Sequence, residues 1–272
     1  MTLLCETMQV HRSGYYNYLK KAVHVSVKQE TILLCEVKIL HHQSDKSYGS
    51  RRIAKALQTK GYSVGRFRAR SLMRKAQIEC KQRRRFRITT QSNHAYPIAE
   101  NVLNREFAVA TPNCVWVADI TYLWTQEGWL YLSVVLDLFS RRVVGWSLAS
   151  HLREELVSDA LLMALGRRKP TNLMHHSDRG CQYASGNYQE LLKQYGIIVS
   201  MSRKGNCWDN AVMERFFGSL KSERTDDKFY STRKIAKADV IDYIEMFYNS
   251  HRLHSALGYQ SPMQYEREHY YA

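Results

Sequence analysis

The sequence predicts an α/β protein: a mixed sheet with helices on its faces, preceded by an all-α, basic region of helix-turn-helix type. Two observations carry that prediction. From Val115 onward, three runs rich in β-branched and aromatic residues give way to alternating helical and strand-like segments. The positive charge lies before that point: residues 1–100 hold 20 Lys and Arg against 6 Asp and Glu, while residues 101–272 are nearly balanced at 20 against 19.

At the basic end, Val27, Leu34, Val37 and Leu40 fall close to helical spacing over residues 27–43. Ser50 is placed to cap a second helix through Gln58, with Ile53, Ala54 and Leu57 inward. Lys60-Gly61-Tyr62 then forms a short turn before a third helix, Val64 to about Ala76, expected to bury Phe67 and Leu72 and to project Arg66, Arg70 and Arg74. That third helix is the natural groove reader of such a unit. Between Arg66 and Arg87, ten basic residues face one acid, Glu79, and a block of this kind repels itself unless it meets a polyanion. Duplex DNA is the expected partner. The alternatives are a solvated basic helix and tail, or a helical hairpin that only packs on the second domain.

Residues 81–113 read as a basic and polar linker containing Pro97. Three strands follow at Val115–Trp124, Trp129–Leu138 and Arg142–Ala149, separated by turn-like breaks, and they form a meander. Next come a helix from Glu154, a strand at Asn172–His176, a helix at Asn187–Tyr195, a strand at Ile197–Met201 and a helix from Asn210 through Glu223. Antiparallel strands followed by alternation specify the mixed sheet. A last helix, Arg233–Tyr248, leads into a polar, aromatic tail, so the expected division is 1–80 helical DNA-binding region, 81–113 linker, 114–225 catalytic core and 226–272 C-terminal helix and tail.

Composition removes other classes. The apolar run from Trp129 is cut by Asp137, far short of the ~20 residues a membrane span needs. The N-terminus lacks a basic region before its short apolar run and reads as no secretory signal. The six cysteines are scattered without a Cys-x-x-Cys pair, which fits reduced thiols in a cytoplasm better than a disulfide frame or zinc site.

Three carboxylates stand where this layout makes them converge. Asp119 interrupts an apolar strand, Asp178 sits at the exit of the fourth strand, and Glu214 lies in the helix after the fifth. Thirty-five residues separate Asp178 from Glu214. Asn210 is one turn before Glu214 and Lys221 two turns after it, all on one helix face. Acids without a Cys/His cluster make an all-oxygen site suited to Mg²⁺, with Mn²⁺ as substitute. Two such ions about 4 Å apart can hold the attacking and leaving oxygens of a phosphodiester. Asp119 would be the ligand shared by both ions, with Asp178 and Glu214 each completing one. Each acid also has a structural alternative: an arginine partner for Asp119, a turn cap for Asp178, a surface position for Glu214. Asp137 and Asp209 fit the site less well, Asp209 being better explained as a helix cap.

The segments VWVADITYL, GWLYLSVVLDLFSRRVVGW, HHSDRGCQYAS and SMSRKGNCWDNAVMERFFGSLKSE, in that order, resemble the catalytic core of the DDE transposases of bacterial insertion sequences, and specifically the second-frame product of the two-frame family. The likeness covers about residues 26–268, including YGSRRIAKAL and YNSHRLHSALGYQSP. It implies a ribonuclease-H-like, integrase-type core, with Asp119, Asp178 and Glu214 as metal-binding catalytic triad, and cleavage and joining of element DNA ends. It also implies a homo-oligomer on DNA and a partner segment from the upstream frame. Ala69, Ser71 and Gln77 depart from the family's usual valine, arginine and glycine.

Weaker expectations concern single residues. His175 and His176 precede Asp178 in a strand, one facing the core and one the site, with positioning roles. Arg203 and Lys204 read as a basic loop that could hold phosphate, Lys221 as a contact to the reacting strand, and Trp208 and the other aromatics as packing. The rival functions are a non-catalytic DNA-binding repressor or accessory protein on the same fold, and a metal-dependent ribonuclease or junction nuclease, which would lack the basic N-terminal third.

Overall fold

The computed structural model describes residues 2–20, 23–81, 97–203 and 207–270, and these form two compact units, Met1–Cys80 and Lys81–Ala272. In the first, short helices α1 (Thr2–Thr7) and α2 (Arg12–Lys20) precede α3 (Val23–Gln43), α4 (Ser50–Thr59) and α5 (Arg66–Lys75). Leu33, Val37 and Leu40 of α3 are buried, as are Ile53, Ala54 and Leu57 of α4 and Ala69, Leu72 and Met73 of α5. These are helical stripes, and burying them together is what makes each helix stable. The turn between α4 and α5 passes through Gly61 at φ +87°, a conformation that costs glycine little. Gln77, where the resembled family has glycine, also sits in the left-handed region at φ +55° just past α5. That explains the family's preference.

Two expectations for this unit are corrected. Phe67 is 82% exposed, because two residues before Ala69 is a rotation of about 200°, away from the stripe that faces α3 and α4. Ser50 does not cap α4: the capping position is Gly49, and no side chain accepts a hydrogen bond there. Arg66, Arg70 and Arg74 all lie exposed on α5, four residues apart and so along one stripe.

The second unit is built on a five-stranded sheet of β1 (Val115–Thr125), β2 (Gly128–Asp137), β3 (Val143–Ala149), β4 (Met174–Ser177) and β5 (Ile198–Met201), in the order β3-β2-β1-β4-β5. β1, β2 and β3 pair antiparallel, while β4 pairs parallel with both β1 and β5. The remaining helices are α6 (Glu155–Arg168), α7 (Cys181–Ala184), α8 (Gly186–Gln194), α9 (Ala211–Leu220), α10 (Arg233–Asp242) and α11 (Pro262–His269). After α9 and after α10 the chain widens into π-turns, Lys221–Thr225 and Tyr243–Tyr248. Alternation along β1 divides the core. Trp116 and Ala118 pack with α6 and α8 residues such as Ala160, Leu161 and Leu192, whereas Val117 and Leu123 pack with Phe216, Leu220, Val240 and Tyr248 on the α9–α10 side. Asp119 takes its place on that second face.

Within the stretch expected as a linker, Leu103 is buried in the α9–α10 core with Phe107 and Val109 against it, while most of residues 97–113 are exposed. Residues 82–96 lie outside the described residues. The C-terminal segment supplies Ala236, Val240, Tyr243, Ile244 and Tyr248 to the same core. Its tail holds a further helix, α11, begun by Ser261, whose hydroxyl accepts from the Gln264 N–H, and by Pro262 at the first turn. Buried Glu266 of α11 takes Arg168, Arg142 and the Ser140 hydroxyl.

Gly145 sets how closely α6 approaches the sheet: a Cβ there would lie 2.2 Å from the Ala160 carbonyl oxygen and 2.8 Å from the Ala164 Cβ. Gly145→Ala should therefore destabilise the protein by about 3 kcal/mol or more, through overpacking against backbone. Urea denaturation checks this, and a loss below about 1 kcal/mol would show that α6 can shift freely.

Candidate active site

The parallel pairing of β1 with β4 ends at Ala118↔Ser177, so the next residue on each strand is an aspartate, Asp119 beside Asp178. Adjacent strands run about 4.8 Å apart. Both acids are fixed by local backbone. The Ile120 N–H donates to Asp119 Oδ1 at 2.7 Å, and the Gly180 N–H donates to Asp178 Oδ1 at 2.9 Å. A Cβ at Gly180 would sit 3.0 Å from that same oxygen, so a larger residue there would press on the Asp178 carboxylate. On the facing helix, the Asn210 Nδ2 donates to Asp119 Oδ2 at 3.0 Å, and Glu214 follows in the first turn of α9.

The acids feel one another. Burial first, then the Asp178 charge, and to a smaller extent Glu214, push the Asp119 carboxyl well above the usual range, against the Ile120 N–H and Lys221. Burial also raises Glu214. Lys221 is lowered by burial and supported by Asp226 and Asp119, and its ammonium stands 5.4 Å from the Tyr122 ring centroid. Tyr183, buried on the other side of the sheet, is raised by burial and by the Asp119 charge, so its phenol stays neutral.

Among the described residues, no three His, Cys, Asp or Glu side chains are gathered closely enough to hold a metal ion as they stand. The donor set still has hard-cation chemistry. The Asp178 charge raises Asp119, and the buried Oδ1 of Asn210, which bonds Asp119 through its amide nitrogen, has no hydrogen-bond partner. A cation would relieve both.

Residues 109–207 and 214–269 of the chain match families described as integrase core domain, and residues 28–86 match an HTH-like domain. It is 44% identical over 269 residues to the insertion element IS600 uncharacterized 31 kDa protein of Shigella sonnei, covering 98% of both chains. It is 40% identical over 268 residues to the transposase InsF for insertion sequence IS3A of Escherichia coli (strain K12), covering 97% of this chain and 93% of that one. The chain belongs to the insertion-sequence transposases with an integrase core. Among solved structures, the HTLV-2 integrase catalytic core domain in complex with magnesium shares 21% identity at a TM-score of 0.46, over 57% of the transposase and 96% of that chain.

The other predicted residues of the transposase divide. His176 is buried on the Asp119 side of the sheet, where its ring bonds Ser200 Oγ at 2.8 Å and Ser202 Oγ at 3.2 Å, which joins β4 to β5. Burial lowers it to about 4. His175 points to the opposite face, 3.1 Å from the Tyr188 hydroxyl, and burial lowers it to about 3. The Arg203 backbone N–H and guanidinium donate to Asp209 at 2.9 and 3.1 Å, so this half-exposed arginine also anchors its loop. Lys204 and the Trp208 side chain lie outside the described residues. Asp209 is no helix cap, because it also takes Arg105 at 2.7 Å and Asn101 at 2.9 Å. Asp137 accepts from the backbone N–H groups of Asn113 and Phe139 and serves the turn. Among the described residues the thiols of Cys5, Cys35, Cys80, Cys114 and Cys181 are free.

Burial alone would raise Asp209, but the Arg203 N–H and the Arg105 and Arg203 guanidinium groups bring it down to about 2. A depressed carboxyl stabilises the fold above its ordinary range near 4, and that contribution is lost as the pH falls through about 2. With both arginines half exposed and screened, Asp209→Asn should cost about 1–2 kcal/mol at pH 7, and the gap to the parent should narrow between pH 4 and 2. Urea denaturation across that range checks it; a gap independent of pH would contradict the ion-pair account.

Proposed function

We propose that this transposase cuts and joins DNA strands at the ends of its insertion sequence through Asp119, Asp178 and Glu214. The observation that carries the reading is the side-by-side placement of Asp119 and Asp178 at the exits of two parallel strands, with Glu214 close enough to raise Asp119. These three carboxylates would hold Mg²⁺, or Mn²⁺ in its place, as two ions with Asp119 shared. When bound, such ions supply Lewis-acid charge to the attacking and leaving oxygens of a phosphodiester.

The chain's own residues prepare the site. The Ile120 and Gly180 N–H groups aim the two aspartates, and Asn210 fixes the second oxygen of Asp119, its own buried amide oxygen lacking a partner. Lys221 places a positive charge beside Asp119, where the reacting strand's phosphate would come. Residues 1–80 bind duplex DNA through the α5 stripe of Arg66, Arg70 and Arg74, and the element ends and target are brought together by a homo-oligomer in the cytoplasm, on the nucleoid. An upstream-frame segment completes the assembly. The exposed stripe and the HTH-like match support the DNA assignment.

The test is strand cleavage and joining with oligonucleotides that carry the source element's ends, in Mg²⁺. Asp119→Asn, Asp178→Asn and Glu214→Gln should each lower joining by at least about a hundredfold while duplex binding stays within about twofold, because an amide removes an anionic oxygen without changing shape. Retention of more than a few percent of joining in any one variant would remove that residue from the site.

A further inference from the structure

A cleft of about 330 Å³ shares Lys221 with the candidate active site, and the rest of its lining has no part in the cutting reaction. β4 ends opposite Ala118, so β1 beyond Asp119 has no strand on its outer side. That open edge faces the segment following α9, and the cleft between them is lined by Tyr122, Trp124, Trp129, Phe229 and Lys221. Its aromatic content is unusual for a surface. Trp124 is 58% exposed, Trp129 43% and Phe229 76%. Single exposed rings are ordinary, but here three converge on one cleft.

Hairpin register places the rings. Tyr122 pairs across the hairpin with Tyr131 and Trp124 with Trp129, so all four share a face, and they meet edge to face at 4.8 Å for Trp124–Trp129 and 5.0 Å for Tyr122–Trp129. Arg233 braces the turn, its Nε donating to the Trp129 carbonyl at 3.0 Å. The rings are therefore held on a rigid support. Lys221 joins the two spaces, lining the cleft and acting on Asp119.

We propose that this cleft seats unpaired nucleotides of the strand whose phosphodiester reacts, with their bases stacked on Trp124, Trp129 and Phe229. The inference rests on the strand-cutting reading above. A single strand leaving the carboxylates passes Lys221 first, where its phosphate meets an ammonium group, and then the rings, which offer π-faces to any base. Base–aromatic stacking tolerates sequence, because every base has a π-face. Duplex DNA keeps its bases inside the stack and cannot use the cleft, so the site favours melted ends.

The experiment uses the full chain and a pentanucleotide of thymidines with a central 2-aminopurine, as a free single strand and as the same five nucleotides embedded in the middle of a long, stably paired duplex. Stacking quenches 2-aminopurine, so saturating protein should quench the single strand strongly and the duplex little. Trp124→Ala combined with Phe229→Ala should lower the quenching at saturation at least threefold and weaken binding at least tenfold. Phe229→Ala alone, at a ring that is mostly exposed, should give part of the loss with the fold intact. Quenching by the double variant equal to the parent's, or equal quenching of strand and duplex, would overturn the proposal. So would a change of oligomeric state with quenching preserved, because the cleft would then cover a second copy. If Asp119→Asn kept its joining activity in the cleavage and joining assay, the strand-cutting reading would fail while the parent's stacking result stood by itself.

Discussion

Two carboxylates held side by side at the ends of parallel strands are the constraint on which the second unit turns. The pairs Val117↔His176 and Ala118↔Ser177 leave Asp119 and Asp178 no choice but to be neighbours, and burial together with the Asp178 charge raises the Asp119 carboxyl. The surrounding structure holds that arrangement in place. His176 spends both ring nitrogens on Ser200 and Ser202, locking β4 against β5. The Gly180 N–H aims Asp178, and the absence of a side chain there leaves that carboxylate room. Asn210 then couples Asp119 to α9.

The third carboxylate depends on α9 being held at both ends. Before the helix, Asp209 gathers Asn101, Arg105 and Arg203. After it, Glu223 in the π-turn accepts two bonds from the buried Arg252 guanidinium, at 2.6 and 2.7 Å, and one from the Tyr243 hydroxyl at 2.8 Å. Arg252 also reaches Ser219 in α9 itself. Such a network is worth more for where it puts the helix than for net stability, since desolvating the ions offsets much of their attraction. The C-terminal segment is thus part of the catalytic unit's frame, and Glu214 and Lys221 owe their positions to Tyr243 and Arg252, well beyond them in the chain.

The strands and the neighbouring positions of Asp119 and Asp178 were legible for the same reason. An aspartate inside VWVADITYL breaks an apolar pattern at one point, and parallel β1–β4 pairing follows from the strand–helix alternation. What stayed hidden depended on three-dimensional partners. Arg203 looks like a free basic loop until Asp209, six residues on, is seen to take it. Phe67 was expected inward because it is apolar, but the inward stripe of α5 runs through Ala69, Leu72 and Met73. The aromatics of the hairpin read as packing, yet strand alternation and the Trp124↔Trp129 register put them on a face that no helix fully covers. The Ser261-Pro262 pair was a readable helix start that the polar composition of the tail obscured.

The central claim is that the charge crowding of Asp119, Asp178 and Glu214 exists to be relieved by a hard divalent cation. Mn²⁺ binding to the full chain, followed by the loss of the free-ion signal in electron paramagnetic resonance, tests it without any DNA. The account predicts saturable binding that weakens at least tenfold in Asp119→Asn. A binding curve that is the same for the parent, Asp119→Asn and Glu214→Gln would contradict it.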